Sequence, residues 1–369
     1  MSHRAFVGAL LAVASLSFSC GEGGSPERLR GADHIDWVER NGWSSCVAAD
    51  LGEKLGGCVV GDVDPSKAGD EIVVVGESGA IYLISFEDGG WQKEVIANTP
   101  GEMVQVALGD VDPARVGLEI VVVGIAQGRE DDGGEGAAHV LFLDEGEWII
   151  KEFHRSPALL HAAWVAELDG TLGAEVFVGG YAEKAVIMDL TDDGWVEIDA
   201  GDLPGPAKNA TKYRNGVAVA CADGSLAYVH PEGDGFAVDV VYVAPAGNSR
   251  VASDGLEMLL VAQDDGALSI YRDGKRTEIH RESDKLRGAV LGNLDFSAPA
   301  IEAITGGYGR IITMLNESTE GWVSKVIYED SDRLHHLAAG RLPTLDDGLF
   351  LVACGFSGRV IVLRAASVG

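Results

Sequence analysis

One distance recurs along this 369-residue chain. A tryptophan stands 19 residues ahead of a turn position at Trp43 and Asp62, Trp91 and Asp110, Trp148 and Glu167, Trp195 and Arg214, and Trp322 and Arg341. Phe236 and Lys275 take the tryptophan's place in two further copies. A spacing kept through such different intervening residues implies one structural unit used repeatedly, and a repeat constrains the fold more than any local propensity. The best-preserved copies are GDVDPSKAGDEIVVVG (61–76) and GDVDPARVGLEIVVVG (109–124), followed by 166–180 and 292–307, with more diverged copies at 213–224, 253–266 and 340–355.

Each copy holds a β-prone run such as EIVVVG, a glycine-containing turn and a second short run such as AIYLI, HVLFL or RVIVL. That is a strand, turn, strand signature. The tryptophan opens a third strand, as in WQKEVI, and an apolar run such as MVQVALG leads into the next copy. Each unit is therefore four strands, here named a to d, with strand a ending at the Asp position and strand d starting at the Trp. Successive units lie between 38 residues (255 to 293) and 57 residues (110 to 167) apart. Seven four-stranded units of that length predict an all-β fold, a seven-bladed β-propeller over residues 34–369. The seventh copy runs out after RVIVLR without a strand d, and Trp43–Val47 reads as a strand d without a blade. The N-terminal strand is expected to complete the last blade and so remove the open edges of the array.

The a–b turn of the first copy resembles the FG-GAP/VCBS repeats of extracellular propellers, whose acidic loops bind calcium. The resemblance runs over about residues 34–366 and is best in copies one, two, three and six. It implies calcium ligands at Asp62, Asp64, Asp70 and Glu71, and at Asp110, Asp112 and Glu119, with weaker sets at Glu167, Asp169 and Glu175 and at Asn293, Asp295 and Glu302. A hard cation of this kind takes six to eight oxygens. Ser66, Ala114, Thr171 and Ser297 stand where the family carries a third acid. The residues alone equally describe Asx turns, with Asp oxygens accepting backbone N–H groups. The first turn, with the most oxygens, is expected to be the strongest calcium site. The D-x-D-P turn is also similar to one in the propeller of rhamnogalacturonan lyases.

The opposite rim carries cations. Six residues before the Asp position, where strand a begins, stand Val104, His161, Lys208, Arg287 and His335, with Arg250 and His336 one position away in their copies. The b–c loops expected on the same face add Tyr181, Lys184, Tyr308, Arg310, Phe356 and Arg359. Polar and aromatic groups converging on a concavity form a candidate binding site. This set suits a carboxylate-bearing partner, a protein or an anionic glycan. The alternative is that these cations pair internally with the surplus of acids. His161, His335 and His336 lack metal-binding spacing and are read as structural.

Lys plus Arg is 28 and Asp plus Glu is 58, so the chain carries 28 − 58 = −30. Such a charge argues against nucleic acid and against adsorption to anionic lipid. No phosphate-binding loop, zinc-protease, C-x-x-C or nucleophile-elbow motif occurs. Residues 5–18 are an apolar run too short to span a bilayer. With the weakly basic start they read as a signal peptide (1–19), followed by a Gly/Ser-rich tether (20–33). Leu16–Cys20 resembles the lipobox of bacterial lipoproteins, which implies lipid on Cys20 and a place in the cell envelope, on the outer membrane or in the periplasmic or extracellular space. The lipid anchor is then the only membrane contact, and a monomer is expected. Among the remaining cysteines Cys46 and Cys58 are the nearest pair and the disulfide candidate, with Cys221 and Cys354 read as small buried hydrophobes. The insertion at 128–136 is read as a solvated acidic loop. The function read from these features is non-catalytic ligand binding at the channel mouth, with lyase action on uronic-acid polysaccharides as the alternative.

Overall fold

The computed structural model describes residues 35–127, 134–255, 257–294, 301–345 and 348–366. The signal peptide, tether and Cys20, most of the 128–136 insertion, and Asp295 and Ser297 lie outside the described residues. Every described element is a strand, and the strands form six four-stranded antiparallel sheets and one of five. The innermost strands are Leu55–Gly61, Met103–Gly109, Leu160–Ala166, Ala207–Tyr213, Asn248–Ser253, Leu286–Gly292 and Leu334–Arg341. Each touches the next, and the last touches the first, so the ring is closed.

Closure is made by Trp43–Asp50, which pairs antiparallel with Arg359–Ala365 as strand d of blade 7. The short strand Val38–Arg40 adds a fifth member to that sheet, which the repeat pattern does not predict. Strands b are buried along their whole length, as in Glu71–Gly76 and Glu119–Ile125. Both of their faces meet a neighbouring blade, which is why these runs read as continuous Val/Ile rather than alternating. Seven clusters of buried side chains lie between successive blades and together make the core.

The 19-residue ruler has a packing cause. Trp91, Trp148, Trp195, Phe236, Trp322 and Trp43 each pack into the cluster that their blade shares with the preceding one. The aromatic wedge fixes where strand d starts, and the inner strand that follows must then reach the ring. Only blade 5, with Lys275, lacks the wedge.

All four described cysteines are free and buried, so the Cys46–Cys58 bridge does not form. Cys58 Sγ instead donates to Val352 O at 3.9 Å and lies 3.7 Å from His336 Nδ1, across the seam between blades 1 and 7. Closeness in sequence says little in this fold, because neighbours come from adjacent blades.

Candidate functional site

Two sets of hydrogen bonds fix the faces. In every blade a residue at or just past the end of strand b donates to a carbonyl of the d–a loop, from Glu77 N to Lys54 O through to Phe356 N to Arg333 O. The b–c and d–a loops therefore share one face, the mouth, as the sequence implied. On the other face the a–b turns are tied blade to blade, with Leu118 N donating to Asp62 O and Ala174 N to Asp110 O.

At the mouth each inner strand carries a β-bulge at its second residue. The extra residue is Gly56, Val104, His161, Lys208, Ser249, Arg287 or His335. A bulge re-aims a side chain out of the pleat, so four cation-capable residues occupy the same backbone position of four blades. His161 and His335 border a cavity of about 300 Å³ whose lining also includes Tyr181, Tyr308, Phe356 and the acids Glu77 and Glu102, while Lys208 and Arg287 stand outside that lining beside the Tyr181 and Tyr308 rings.

The two histidines are held alike. His161 donates Nδ1–H to Lys208 O at 2.9 Å, and His335 donates Nδ1–H to Gly56 O at 2.7 Å. Each bond crosses to the bulge of the next blade and leaves Nε2 with its lone pair. Burial, followed by the Lys208 charge, holds His161 well below the usual imidazole range. Burial, followed by Arg250, pushes His335 down to about 3. Both are neutral acceptors at physiological pH. Lys208 bonds the Tyr181 hydroxyl and stands 4.4 Å from that ring's centre. Arg287 pairs with Asp264 and lies 4.9 Å from the Tyr308 ring. Arg333, which sequence reasoning did not single out, covers both Tyr308 at 5.2 Å and Phe356 at 4.8 Å.

Other predicted rim residues lie outside the lining of that cavity. Arg359 pairs with Asp330 and is committed to the turn beside it. Lys184 pairs with Asp202 at 2.6 Å on the exposed surface. Arg310 is exposed in a left-handed turn with φ 66° and does not border the cavity.

Arg250 and His336 belong to a second ring, one step deeper, at the residue after each bulge: Gly57, Gln105, Ala162, Asn209, Arg250, Gly288 and His336. Small residues alternate with long polar ones that reach across them. His336 spans Gly57 to contact Gln105 of blade 2 at 3.3 Å, and Arg250 spans Gly288 to donate to His335 O of blade 7 at 3.2 Å. Asn209 accepts Val251 N–H at 3.0 Å. Below this ring the channel widens into a cavity of about 380 Å³. Gln105 and Asn209 were missed from sequence because they look like ordinary strand residues; their register with the bulge is what identifies them.

The a–b turns use their acids on their own backbone. Glu71 Oε2 accepts Val63 N–H and Asp64 N–H, both at 3.2 Å, and Asp64 Oδ1 accepts Ser66 N–H at 3.1 Å. Blade 2 repeats this with Glu119, whose Oε2 accepts from Val111 and Asp112, and with Asp112, whose Oδ1 accepts Ala114 N–H. Asp62 is exposed, and Asp70 stands beside it with its carboxyl pushed up by burial and by Asp62. Neither of these first two turns gathers three carboxylates. Among the described residues that occurs only in blade 3, where Glu167, Asp169 and Glu175 bring their oxygens within 4.8 Å of one another. There Glu175 Oε2 accepts Leu168 N–H, and Oε1 is buried without a partner. Among the described residues the carboxylates thus gather at Glu167 and not at Asp62.

The fold and its mouth define the class: the chain is a seven-bladed β-propeller. It resembles the WD40 β-propeller domain of Doa1, at 13% identity and TM-score 0.61, covering 86% of this chain and 96% of that one. It also resembles U3-55K, at 12% identity and TM-score 0.63, covering 87% and 98%. These likenesses are of fold. No family model matches the sequence, and no curated protein does.

Proposed function

We propose that the chain is an exported binding propeller, tethered through lipid on Cys20, that takes a carboxylate-bearing partner, an anionic glycan or an acidic protein segment, at the mouth. The observation that carries this reading is the bulge ring. One backbone device presents His161 and His335 to a concavity lined by Tyr181, Tyr308 and Phe356, and sets Lys208 and Arg287 beside two of those aromatic rings. Aromatic faces and cations together suit the ring and carboxylate of a uronic-acid unit. In a chain of net charge −30, Lys208 and Arg287 held beside aromatic faces at the mouth are the feature that favours an anionic ligand. Calorimetric titration with oligogalacturonate tests it. Binding should weaken as salt rises, and Lys208→Ala should lower affinity about tenfold, the loss of one charge-assisted contact. Equal affinity in the wild type and the variant, or none in either, removes the glycan reading.

A second reading is favoured by the two neutral histidines, whose Nε2 lone pairs are fixed by their Nδ1 bonds. Such a base can remove the proton α to a uronate carboxylate while a nearby cation steadies the developing charge. Appearance of unsaturated-product absorbance, lost in His161→Gln or His335→Gln, separates a lyase from a binder.

Calcium belongs to the same picture of a repeat of the extracellular type, with the blade 3 turn as its site. Its three carboxylates and the unpartnered Glu175 Oε1 offer the all-oxygen set a hard cation takes. Calcium should raise the melting temperature relative to EDTA, and Asp169→Asn should remove the difference. A melting curve indifferent to both leaves the turns as hydrogen-bonded bends.

A further inference from the structure

The second ring of the channel holds one fixed positive charge, that of Arg250, and no acid. Arg250 is 3% exposed. Its guanidinium gives Nη1–H to Ser249 O at 2.8 Å and Nη2–H to His335 O at 3.2 Å, while Nε has no partner. Among the described residues no carboxylate forms an ion pair with it, in contrast to its neighbour Arg287, which has Asp264. A guanidinium cannot shed its proton, so burial leaves a full charge that main-chain dipoles only partly offset.

The remaining polar side chains of the ring carry no charge. His336 Nδ1 lies 3.4 Å from Cys58 N and 3.7 Å from Cys58 Sγ, and its Nε2 lies 3.3 Å from Gln105 Nε2. Gln105 Oε1 is buried without a partner. Asn209 spends its oxygen on Val251 N–H and keeps its amide donor. One fixed charge and a spare amide donor thus share a ring that holds no acid, with the nearest imidazole kept neutral by burial.

We propose that this ring binds a small oxyanion, a carboxylate or an inorganic sulfate or phosphate, with Arg250 as its principal partner and Asn209 as a secondary donor. The site is independent of the mouth and lies one residue deeper along the same strands. Its occupant is either a free ion or the carboxylate end of a larger ligand.

Thermal melts test this at constant ionic strength, with chloride exchanged for acetate, sulfate or phosphate, and with galacturonate as a separate arm. Wild type should melt higher in at least one oxyanion, by about 4 °C at a hundredfold excess over Kd. Arg250→Met keeps the length of the side chain and removes the charge. It should be at least as stable as wild type in chloride, because an unpaired buried charge is lost, and it should not respond to oxyanions. Lys208→Ala should keep the response, which separates this ring from the mouth. A response to acetate as well as galacturonate marks a free-ion site, and a response to galacturonate alone marks the end of a glycan. The proposal is overturned if wild type and Arg250→Met respond alike, or if Arg250→Met is much less stable in chloride and wild type ignores every oxyanion. Failure of oligogalacturonate to bind while acetate still acts through Arg250 removes the mouth reading and leaves this one.

Discussion

Deletion of residues 35–50 is expected to destroy the cooperative melt of this protein and drive it into aggregates. Trp43–Asp50 supplies strand d of blade 7 and pairs with Arg359–Ala365 from Trp43↔Ala365 to Asp50↔Arg359. Trp43 is wholly buried in the cluster between blades 6 and 7. Losing a buried tryptophan alone costs about 3–5 kcal/mol. Losing the strand as well removes the closing ladder and exposes a long edge, a template for pairing with other chains. The sum reaches the whole stability of an ordinary domain, about 5–15 kcal/mol. Size-exclusion chromatography and thermal melts of the truncated chain, beside Trp43→Ala as the milder case, measure the effect. A truncated chain that stays in solution with an unchanged melt would mean that the ring closes some other way.

Acid should unfold the protein steeply below about pH 5. His161, His335 and His336 are all held below the ordinary imidazole range, in each case chiefly by burial. The unfolded chain takes up protons on them near pH 6.5 and the native state does not. Their contribution is thus fully present above pH 6.5 and is lost as pH falls. Each can cost up to about 2 kcal/mol at pH 5, with less for His161 and His335, which border the mouth. Glu71 and Glu175 act in the opposite direction, since burial pushes both up to about 7. They bind protons more tightly in the native state, so they add stability as pH falls from above 7 and reach their limit near the unfolded value of about 4.5. Relief of the negative net charge works the same way. Stability should therefore peak near pH 6 and fall on both sides. In His336→Asn the new amide oxygen can still accept Cys58 N–H, and acid unfolding should take up about one proton fewer. An unchanged slope of melting temperature against pH would show that the ring does not exclude protons.

The fold could be read from the sequence because its determinant is periodic. A tryptophan that must wedge against the preceding blade leaves the same distance in every copy, however the residues between drift. The closing strand was legible for the same reason, since Trp43 obeys the ruler and copy seven runs out without its own strand d. The site was only partly legible. Counting six residues back from the Asp position did reach the bulge in His161, Lys208, Arg287 and His335. It could not reveal that a bulge is there, so the deeper ring of Arg250 and His336 looked like a one-residue error in alignment. Arg359 and Lys184 follow the internal-pairing alternative, because an acid surplus captures loop cations locally, through Asp330 and Asp202. The Asp62 turn reads in the sequence equally as a set of cation ligands and as a hydrogen-bonded bend, and backbone N–H groups do hold Glu71 and Asp64.

The seven bulges make the mouth a dial with interchangeable positions. The offset that turns each side chain toward the opening is built by main-chain pairing, so the identity of the residue there is left to chemistry. Gly56, Val104 and Ser249 occupy three of those positions without charge, His161 and His335 fill two more as neutral acceptors, and Lys208 and Arg287 put the positive charge on blades 4 and 6. A ligand seated on such a dial has a polarity imposed on it: its acidic edge has one sector to face and its neutral edge another. New recognition can arise by changing one numeral on the dial at a time, with no strand moved and no blade repacked.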